Sequence, residues 1–310
     1  MERIVFMGTP SFSAKILEDL IINNYNIVGV VTQPDKIVGR KQILEFSEVK
    51  KVALKYNIPV IQPIKIKKDY QAILDLKPDV IITAAFGQII GQELLEYPKY
   101  RCINIHASLL PKYRGGAPIQ RSIENGDKET GITIMYMEKG MDTGDMLYQR
   151  SMPILESDTS TTMFNKLSGL ASEMILEFLP KLFKNDINPI KQDESKVTFA
   201  YNLNKDEEHI TFNDSAFNIY NKIRSLQDNP GAFFYFLGFE EEQYRIKIIE
   251  CSPINVNHHK NNGEILEITK SYFVIACKDN TALRIDKVKP NGKNEMASRD
   301  FINGAMKKFI

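Results

Sequence analysis

The sequence has 310 residues, which is long enough for two domains of ordinary size. Hydrophobic residues make up 43% and charged residues 25% of the chain, a composition that excludes collagen-like, coiled-coil and wholly disordered proteins. Lysine and arginine total 40 against 39 aspartates and glutamates, so a nucleic-acid-binding surface has to be a local feature rather than a property of the whole chain.

Cysteine content and hydropathy restrict the setting in which the protein works. Cys102, Cys251 and Cys277 are scattered and odd in number, which argues against a disulfide framework and a cysteine-rich zinc site. No apolar run reaches the roughly 18 residues of a transmembrane helix, and the N-terminal residues lack the apolar segment of a signal peptide. We therefore expect a cytoplasmic protein without a membrane segment, and a monomer as the simplest assembly.

Short apolar runs alternate with amphipathic stretches in the first half of the chain. Five runs are predicted to be buried strands: Arg3–Met7, Ile27–Val31, Pro59–Ile61, Asp79–Ala85 and Cys102–His106. Strands that alternate with helices predict an α/β fold with a parallel sheet covered on both faces. Ligands bind to such sheets beyond the carboxyl ends of the strands.

The pattern changes in the second half of the chain. After predicted strands at Gly131–Met137 and Met146–Gln149 and a long helix at Thr161–Phe183, residues Asn185–Lys196 are polar and aperiodic. A helix at Asp214–Leu226 then precedes a series of short β-like runs. These runs are Tyr244–Ile249, Gly263–Thr269, Tyr272–Cys277 and Ala282–Val288. We expect a smaller β-rich second domain, a five-stranded barrel.

These elements divide the chain into three predicted parts. Residues 1–188 form the first domain, residues 189–203 a linker, and residues 204–310 the second domain. The predicted fold class is therefore a mostly parallel α/β domain followed by a β-barrel domain.

The end of the fifth predicted strand carries residues suited to catalysis. Asn104 and His106 point to the same side of this strand, because side chains alternate along it. An amide beside an imidazole can hydrogen-bond a developing oxyanion and transfer a proton. Asp142, on a glycine-flanked turn between two later strands, can fix the tautomer of the imidazole and stabilise its protonated form. The alternatives are a structural histidine and an aspartate that hydrogen-bonds its own turn.

A long loop, Ser108 to Pro118, follows the histidine directly. Its two prolines and two adjacent glycines predict a fixed shape. We expect its backbone N–H and C=O groups to be free to bind a flat polar ligand. The alternative is an ordinary crossover loop.

Common nucleotide-binding and hydrolytic motifs are missing from the sequence. Gly8-Thr9-Pro10-Ser11 stands where a G-x-G-x-x-G fingerprint would follow the first strand, and no G-x-x-x-x-G-K-[ST] motif occurs. Ser108 lies only two residues from His106 and has no nucleophile elbow, so a Ser-His-Asp hydrolase is disfavoured. One histidine and distant acids in the first domain argue against a metal site.

Two segments together resemble the signature of the folate-dependent formyltransferase family. They are Asn104 to Gly115 and Asp142 to Asp145, in which Asn104, His106 and Asp142 match that family's catalytic trio. The resemblance implies a catalytic role for these three residues. It also implies a folate-binding site, which comprises Ser108, Leu109, Leu110, Pro111, Phe86 and Gly87.

The similarity extends along nearly the whole chain to family members that act on initiator transfer RNA. The similar segments are Val5–Phe12, Thr32–Asp35, Gly292–Lys293 and Ser298–Phe301. Such members combine a Rossmann-like catalytic domain, a linker and a C-terminal barrel that resembles an OB fold. The resemblance implies formyl transfer from 10-formyltetrahydrofolate to the α-amino group of methionine on initiator methionyl-tRNA, with tetrahydrofolate as product and no metal.

Contacts with RNA are expected from two parts of the chain. The resemblance places Arg40 and Lys41 in the loop that enters the acceptor stem, and the basic C-terminal stretch offers Lys289, Lys293 and Arg299 to phosphates. A solvated charged surface is the alternative for this stretch. Two features depart from the family pattern: the basic run of the loop is shorter than the usual Gly-Arg-Gly-Lys-Lys, and the chain has no tryptophan.

Three other functions stay open at this point. They are a formyltransferase that acts on a small amine, such as a sugar nucleotide or glycinamide ribonucleotide, a 10-formyltetrahydrofolate hydrolase, and a non-catalytic RNA-binding module. The loop around Arg40 and the second domain favour tRNA over a small amine. The presence of all three catalytic positions argues against a purely binding role, and the sequence of residues 104–116 differs from that of the hydrolases.

Overall fold

The computed structural model describes residues 1–39, 42–227, 230–237 and 243–304. Contacts divide the chain into two compact units. The first contains Met1–Pro118, Glu129–Pro153 and Met163–Asn202, and the second contains Ile119–Lys128, Ile154–Thr162 and the chain from Leu203 onward. Residues 189–202, most of the predicted linker, thus group with the first unit by their contacts. The predicted domain boundaries themselves stay a prediction.

In the described part of the first unit, seven strands form one sheet, and two short strands form a separate hairpin. The strands are β1 (Ile4–Gly8), β2 (Ile27–Val31), β3 (Lys36–Val38), β4 (Ile43–Glu45), β5 (Val60–Ile61), β6 (Val80–Ala84), β7 (Cys102–His106), β8 (Glu129–Tyr136) and β9 (Met146–Pro153). The helices up to Phe183 are α1 (Ser11–Ile22), α2 (Glu48–Lys55), α3 (Gln71–Leu74), α4 (Gln92–Glu96), α5 (Pro118–Glu124) and α6 (Ser160–Phe183).

The large sheet has the order β5-β2-β1-β6-β7-β8-β9. The five strands from β5 to β7 in this order pair in parallel, as the alternation of strands and helices predicts. β8 and β9 instead pair antiparallel. The segment 137–145 between them is shorter than the dozen or so residues that a parallel crossover needs. The prediction of a mostly parallel sheet is therefore confirmed, with an antiparallel edge.

Burial explains why periodicity identified these elements. All five residues of β1 and of β6 are buried, and a parallel strand covered on both faces has to be a continuous apolar run. Helix α6 buries residues at spacings of three and four, which is the period of one helix face. They are Met163, Leu167, Ala171, Met174 and Phe178.

The second unit is built on an antiparallel sheet. Its described strands are β10 (Phe233–Leu237), β11 (Gln243–Asn255), β12 (Ile265–Ile268), β13 (Phe273–Cys277), β14 (Thr281–Pro290) and β15 (Met296–Ala297), and its later helices are α7 (Ala216–Ser225) and α8 (Ser298–Gly304). The strand order is β10-β11-β14-β13-β12, and β15 pairs with β14. One hydrophobic core joins the sheet to α7 and α8 through residues such as Phe273, Leu283, Ile223 and Phe301. The predicted fold class, an α/β unit followed by a smaller β unit, is confirmed.

Three further features of the described residues concern helix length, metal ligands and thiols. None of their helices is long and apolar enough to cross a membrane, and no group of three or more histidine, cysteine or acidic side chains among them could hold a metal ion. Cys102 and Cys277 are buried thiols. Burial raises the pKa of each to about 12, so neither is a thiolate at neutral pH.

Two glycines give opposite predictions for the free energy of unfolding. A Cβ on Gly131 in β8 would lie 2.2 Å from the backbone oxygen of Arg150, whereas a Cβ on Gly169 in α6 would meet nothing within 4 Å. We expect Gly131→Ala to destabilise the protein by about 1–3 kcal/mol, because backbone has to move. Gly169→Ala should stabilise it by about 0.5–1 kcal/mol. Urea unfolding measures both, and equal effects would contradict the packing at Gly131.

Candidate active site

The carboxyl end of β7 brings Asn104 next to Thr83 of the neighbouring strand β6. The two residues are register partners, and the Thr83 hydroxyl donates a 2.7 Å hydrogen bond to Oδ1 of Asn104. This contact orients the amide so that Nδ2 of Asn104 donates to Oδ1 of Asp142 at 3.4 Å. Asn104 is only half-buried, so an N–H of this amide remains available to a ligand.

His106, the last residue of β7, is almost fully buried. Its Nε2 group lies 2.9 Å from the backbone oxygen of Tyr113, and a carbonyl can only accept, so Nε2 carries a proton. Nδ1 is then the nitrogen that faces Asp142, at 3.6 Å from Oδ2. The side chains of His106 and Asp142 are 6% and 16% exposed, which limits competition from bulk water.

Asp142 lies in the turn between β8 and β9 and joins the other two residues. Its Oδ2 accepts a 2.8 Å hydrogen bond from the backbone N–H of Gly115. Asp142 has a φ of 53°, in the left-handed region, and Gly115 has a φ of 126°. A Cβ on Gly115 would lie 2.6 Å from the backbone oxygen of Ala200, so only glycine fits this approach. The structure thus brings Asn104, His106 and Asp142 into one cluster.

The predicted folate segment after β7 is packed more tightly into the protein than the sequence suggests. Ser108 is fully buried, and its hydroxyl donates to the backbone oxygen of Lys112 at 2.7 Å. Leu110 is 2% exposed, while Leu109 and Pro111 are half-buried.

The backbone of this segment is also engaged. Thr133 of β8 donates to the oxygen of Ser108 and accepts from the N–H of Leu110, and Gln149 of β9 donates to the oxygen of Leu110. The expectation that the backbone groups of this loop are free is therefore wrong at Ser108 and Leu110. β8 and β9 satisfy these groups, because a buried backbone without partners is unfavourable.

The other predicted folate residues follow β6. The side chain of Phe86 is 5% exposed, and its backbone oxygen accepts from the Gln33 amide at 3.0 Å and from the Thr9 hydroxyl at 3.2 Å. Gly87 is exposed and has a φ of 85°, so it presents backbone rather than a side chain at the carboxyl edge of the sheet. This is the edge at which β7 ends in His106.

Residues 189–202 hold the turn that carries Asp142 in place. The sequence did not predict this role. The Gln192 amide donates to the backbone oxygens of Asp142 and Gly144 at 2.7 and 2.8 Å, and its own oxygen accepts from Arg114 at 3.0 Å. Arg114 is 3% exposed and also pairs with Glu194. That ion pair lowers the pKa of the Glu194 carboxyl. The polar, aperiodic character of this segment indicated a linker, because no local pattern records partners 50 positions away.

The predicted RNA-contacting residues fall into two groups. Arg40 and Lys41 lie outside the described residues. In the second unit, Lys289 and Lys293 line a cleft of about 450 Å³, and Arg299 is exposed in α8.

The cleft contains more cationic side chains than Lys289 and Lys293. Arg245, Lys247 and Lys287 also line it, which makes five cationic side chains against the two acidic ones, Glu250 and Glu295, among the described lining residues. Arg245 and Lys247 come from β11, where they alternate with buried apolar residues and so form no basic run in the sequence, whereas Lys287 belongs to the basic C-terminal stretch.

The first-unit cluster combines an amide, an imidazole and a carboxylate. An amide N–H beside an imidazole can stabilise an oxyanion and manage a proton, and an adjacent carboxylate can orient the imidazole. Both halves of the chain match models of one family. Residues 2–179 match the formyl transferase model, and residues 202–306 match the model of the formyl transferase C-terminal domain. Fold and site thus define a formyl transferase.

Comparison with a curated relative narrows this class. A methionyl-tRNA formyltransferase of Lactiplantibacillus plantarum is 47% identical over 313 residues, which cover 100% of this chain and 97% of the relative. The chain therefore belongs to the methionyl-tRNA formyltransferase family.

Two solved structures share the fold at lower identity. The methionyl-tRNA formyltransferase of Clostridium thermocellum is 21% identical with a TM-score of 0.56, over 81% of this chain and 93% of that one. An N-formyltransferase of Helicobacter canadensis, in complex with folinic acid and dTDP-3-aminofucose, is 21% identical with a TM-score of 0.67, over 92% of this chain and 99% of that one.

The support of Asp142 by Gln192 gives a testable prediction. Gln192→Leu removes the donors to the backbone around Asp142, and misplaced catalytic groups typically cost about 10²-fold in rate. We expect formyl transfer to lose about 10- to 100-fold in kcat, with a smaller change in KM. Asp193→Ala is the matched control, because the side chain of this neighbour bonds Ser195 and Lys196 at the surface. Equal kcat values for the two variants would show that Gln192 does not position the site.

Proposed function

We propose that this protein transfers the formyl group of 10-formyltetrahydrofolate to the α-amino group of methionine on initiator methionyl-tRNA, with tetrahydrofolate as the second product. One observation carries the proposal. The side chains of Asn104 and His106 lie beside that of Asp142, which is more than 35 positions further along the chain. This cluster occurs in a chain that is similar over its full length to a methionyl-tRNA formyltransferase.

In this reaction the neutral amine attacks the formyl carbon, and the C–N bond to the folate then breaks. Negative charge develops on the formyl oxygen before that bond breaks. Asn104 is held by Thr83 with an amide N–H available, and this N–H donates to the developing oxyanion. Removing one such donor typically costs about 10²–10³ in rate.

His106 and Asp142 act on the proton that the attacking amine has to lose. With Nε2 bonded to the Tyr113 oxygen, Nδ1 is the free nitrogen of the neutral ring and accepts this proton. Asp142 lies beside Nδ1 and stabilises the imidazolium that forms. The proton then passes to the folate nitrogen as the C–N bond breaks, so no net charge accumulates in the site. The donor itself supplies the activated carbon.

The donor is proposed to bind along the carboxyl edge of the first sheet. Phe86 and Gly87 lie after β6, and the segment from Ser108 to Pro111 follows β7. The buried side chains of Phe86 and Leu110 give this edge apolar support, and the exposed backbone at Gly87 offers polar groups. Because Ser108 is bonded internally, we assign it the task of shaping the loop rather than touching the donor.

The RNA is proposed to bind partly through the cleft of the second unit. Lys289 lies 3.9 Å and Lys287 3.4 Å from the Glu295 carboxylate. Exposed pairs of this kind contribute little free energy, so phosphate oxygens can replace the carboxylate. Lys293 also lines the cleft, and the exposed Arg299 of α8 is proposed to contact phosphate as well. Arg40 and Lys41 are proposed to reach the acceptor stem.

A small amine acceptor is the second candidate function. The Helicobacter canadensis relative was solved with a dTDP-amino sugar, so this fold also serves such acceptors. Full-length similarity to methionyl-tRNA formyltransferases and the cationic cleft favour tRNA here. We further propose a cytoplasmic monomer, in keeping with a reaction that needs no membrane and no second subunit.

The deciding experiment is formyl transfer from 10-formyltetrahydrofolate to charged initiator methionyl-tRNA, with uncharged tRNA and small amines as controls. Transfer to the charged tRNA alone supports the proposal. Donor turnover with an amino sugar or with water, and none with the tRNA, would replace it by one of the alternatives.

Substitutions in the trio should remove turnover without unfolding the protein. We expect kcat to fall about 10²–10³-fold in Asn104→Ala and about 10²–10⁴-fold in His106→Ala. Asp142→Asn should act in the same direction, because it removes the charge beside Nδ1. His259→Ala, an exposed histidine in the second unit, is the control. A near-normal rate in any trio variant would remove that residue from the mechanism.

Salt dependence tests the electrostatic part of RNA binding. The logarithm of the association constant for tRNA should fall linearly with the logarithm of the salt concentration, because bound phosphates release counterions. Lys289→Gln and Lys293→Gln should each weaken binding and reduce the slope by about 1. Lys270→Gln, an exposed lysine that does not line the cleft, should leave the slope unchanged. A slope that none of these variants changes would place the RNA elsewhere.

A further inference from the structure

The segment Thr32 to Asp35 directly after β2 binds three different parts of the first unit, and the mechanism above does not use it. The Thr32 and Ser47 hydroxyls lie 2.7 Å apart, and Ser47 in turn accepts from the backbone N–H of Lys50 at the start of α2. The side chains of Gln33 and Asp35 also have partners outside the segment. Such a set of contacts fixes the segment from several sides.

Gln33 connects the segment to the proposed folate region. Its amide nitrogen donates to the backbone oxygen of Phe86 at 3.0 Å, and its amide oxygen lies 3.3 Å from the nitrogen of Gln88. Its backbone oxygen accepts from Gln62 at 2.9 Å. Gln88 is itself fixed, because it donates to Pro63 and accepts from the N–H of Ile66. One side chain therefore holds residues 86–88 from the side of β2.

Asp35 connects the same segment to a second network. Its carboxylate accepts from Lys50 at 2.5 Å and from Gln62 at 2.8 Å, and Lys50 also donates to the Gln62 oxygen at 2.9 Å. The bonds from Lys50 and Gln62 lower the pKa of the Asp35 carboxyl, so it is ionised at neutral pH. Asp35 immediately precedes β3, and its partners therefore hold the first strand of the hairpin at its base.

The β3–β4 hairpin depends on this base for its orientation. Its ladder consists of three residue pairs, and a two-stranded hairpin is marginally stable alone in water. The side chains of Ile37, Ile43 and Leu44 are 67%, 60% and 56% exposed, so burial of these residues does not hold it against the sheet. In the sequence, Arg40 and Lys41, the proposed acceptor-stem contacts, fall between β3 and β4, and they lie outside the described residues.

We propose that Gln33 is a positioning residue that couples the folate region to the hairpin, so that occupancy by folate and affinity for tRNA depend on each other. A ligand that contacts residues 86–88 biases the backbone that Gln33 binds. Gln62, which bonds both Gln33 and Asp35, carries this bias to the base of β3. The inference rests on the proposed function and adds a mutual dependence between the binding of its two ligands.

Coupling of this kind is reciprocal. If tetrahydrofolate raises the affinity for tRNA by a given factor, tRNA raises the affinity for tetrahydrofolate by the same factor. Factors of about 5 to 150 are typical of coupled sites. Gln33→Leu removes the bonds to Phe86 and Gln88 but leaves the backbone bond to Gln62, so it should reduce the factor toward 1 while both ligands still bind separately.

The first measurement is the dissociation constant of uncharged initiator tRNA with and without saturating tetrahydrofolate. We expect a ratio of at least about fivefold in the unaltered protein and a ratio near 1 in Gln33→Leu. Gln71→Leu is the matched control, since the side chain of this exposed glutamine donates to Asp75 directly after α3, and it should keep the full ratio. A ratio of 1 in the unaltered protein, or an unchanged ratio in Gln33→Leu, overturns the proposal.

The second measurement separates this proposal from the assignment of tRNA as acceptor. Hydrogen exchange of the β3 and β4 amides is followed with tetrahydrofolate alone. We expect tetrahydrofolate to slow exchange in the unaltered protein and in Gln71→Leu, but not in Gln33→Leu. Protection without any tRNA binding would refute the proposed acceptor and keep the coupling. Tetrahydrofolate binding that leaves hairpin exchange unchanged would refute the coupling and keep the proposed function.

Discussion

The Asp142 carboxylate is the group on which the geometry of the site depends. It accepts from the backbone of Gly115, faces the Asn104 amide and lies beside Nδ1 of His106, so one acid joins β7, the loop after it and the β8–β9 turn. Asp142 has a left-handed backbone, which persists only where surrounding contacts enforce it. Gln192 supplies such contacts from a segment outside the sheet.

The parallel sheet explains why so many polar side chains meet at one edge. β2, β5, β6 and β7 run in the same direction, and the residues just beyond them share the carboxyl edge. Glutamine amides occupy several of these positions and satisfy backbone groups that the ends of strands leave free. An amide both donates and accepts, so one network can hold the residues after β6 and the base of the hairpin.

The second unit concentrates positive charge in one place. The whole chain is nearly neutral. The cleft of the second unit, however, is lined by five cationic side chains from β11, β14 and the loop after β14, and by two acidic ones. Cross-strand pairing places Lys247 opposite Lys289, and Glu250 opposite Lys287. Local concentration of positive charge attracts a polyanion without the solubility and stability effects of a large net charge.

The sequence by itself determined the strands Ile27–Val31 and Cys102–His106, because strands inside a parallel sheet are largely apolar runs. It also predicted Asn104, His106 and Asp142 as a trio, and the structure brings their side chains together. It did not predict the β3–β4 hairpin, in which Ile37, Ile43 and Leu44 are exposed, nor the contacts of residues 189–202 with the Asp142 turn. Only the tertiary structure decided that Gln192 meets Asp142, since a hydrogen bond across 50 positions leaves no periodic trace in either segment.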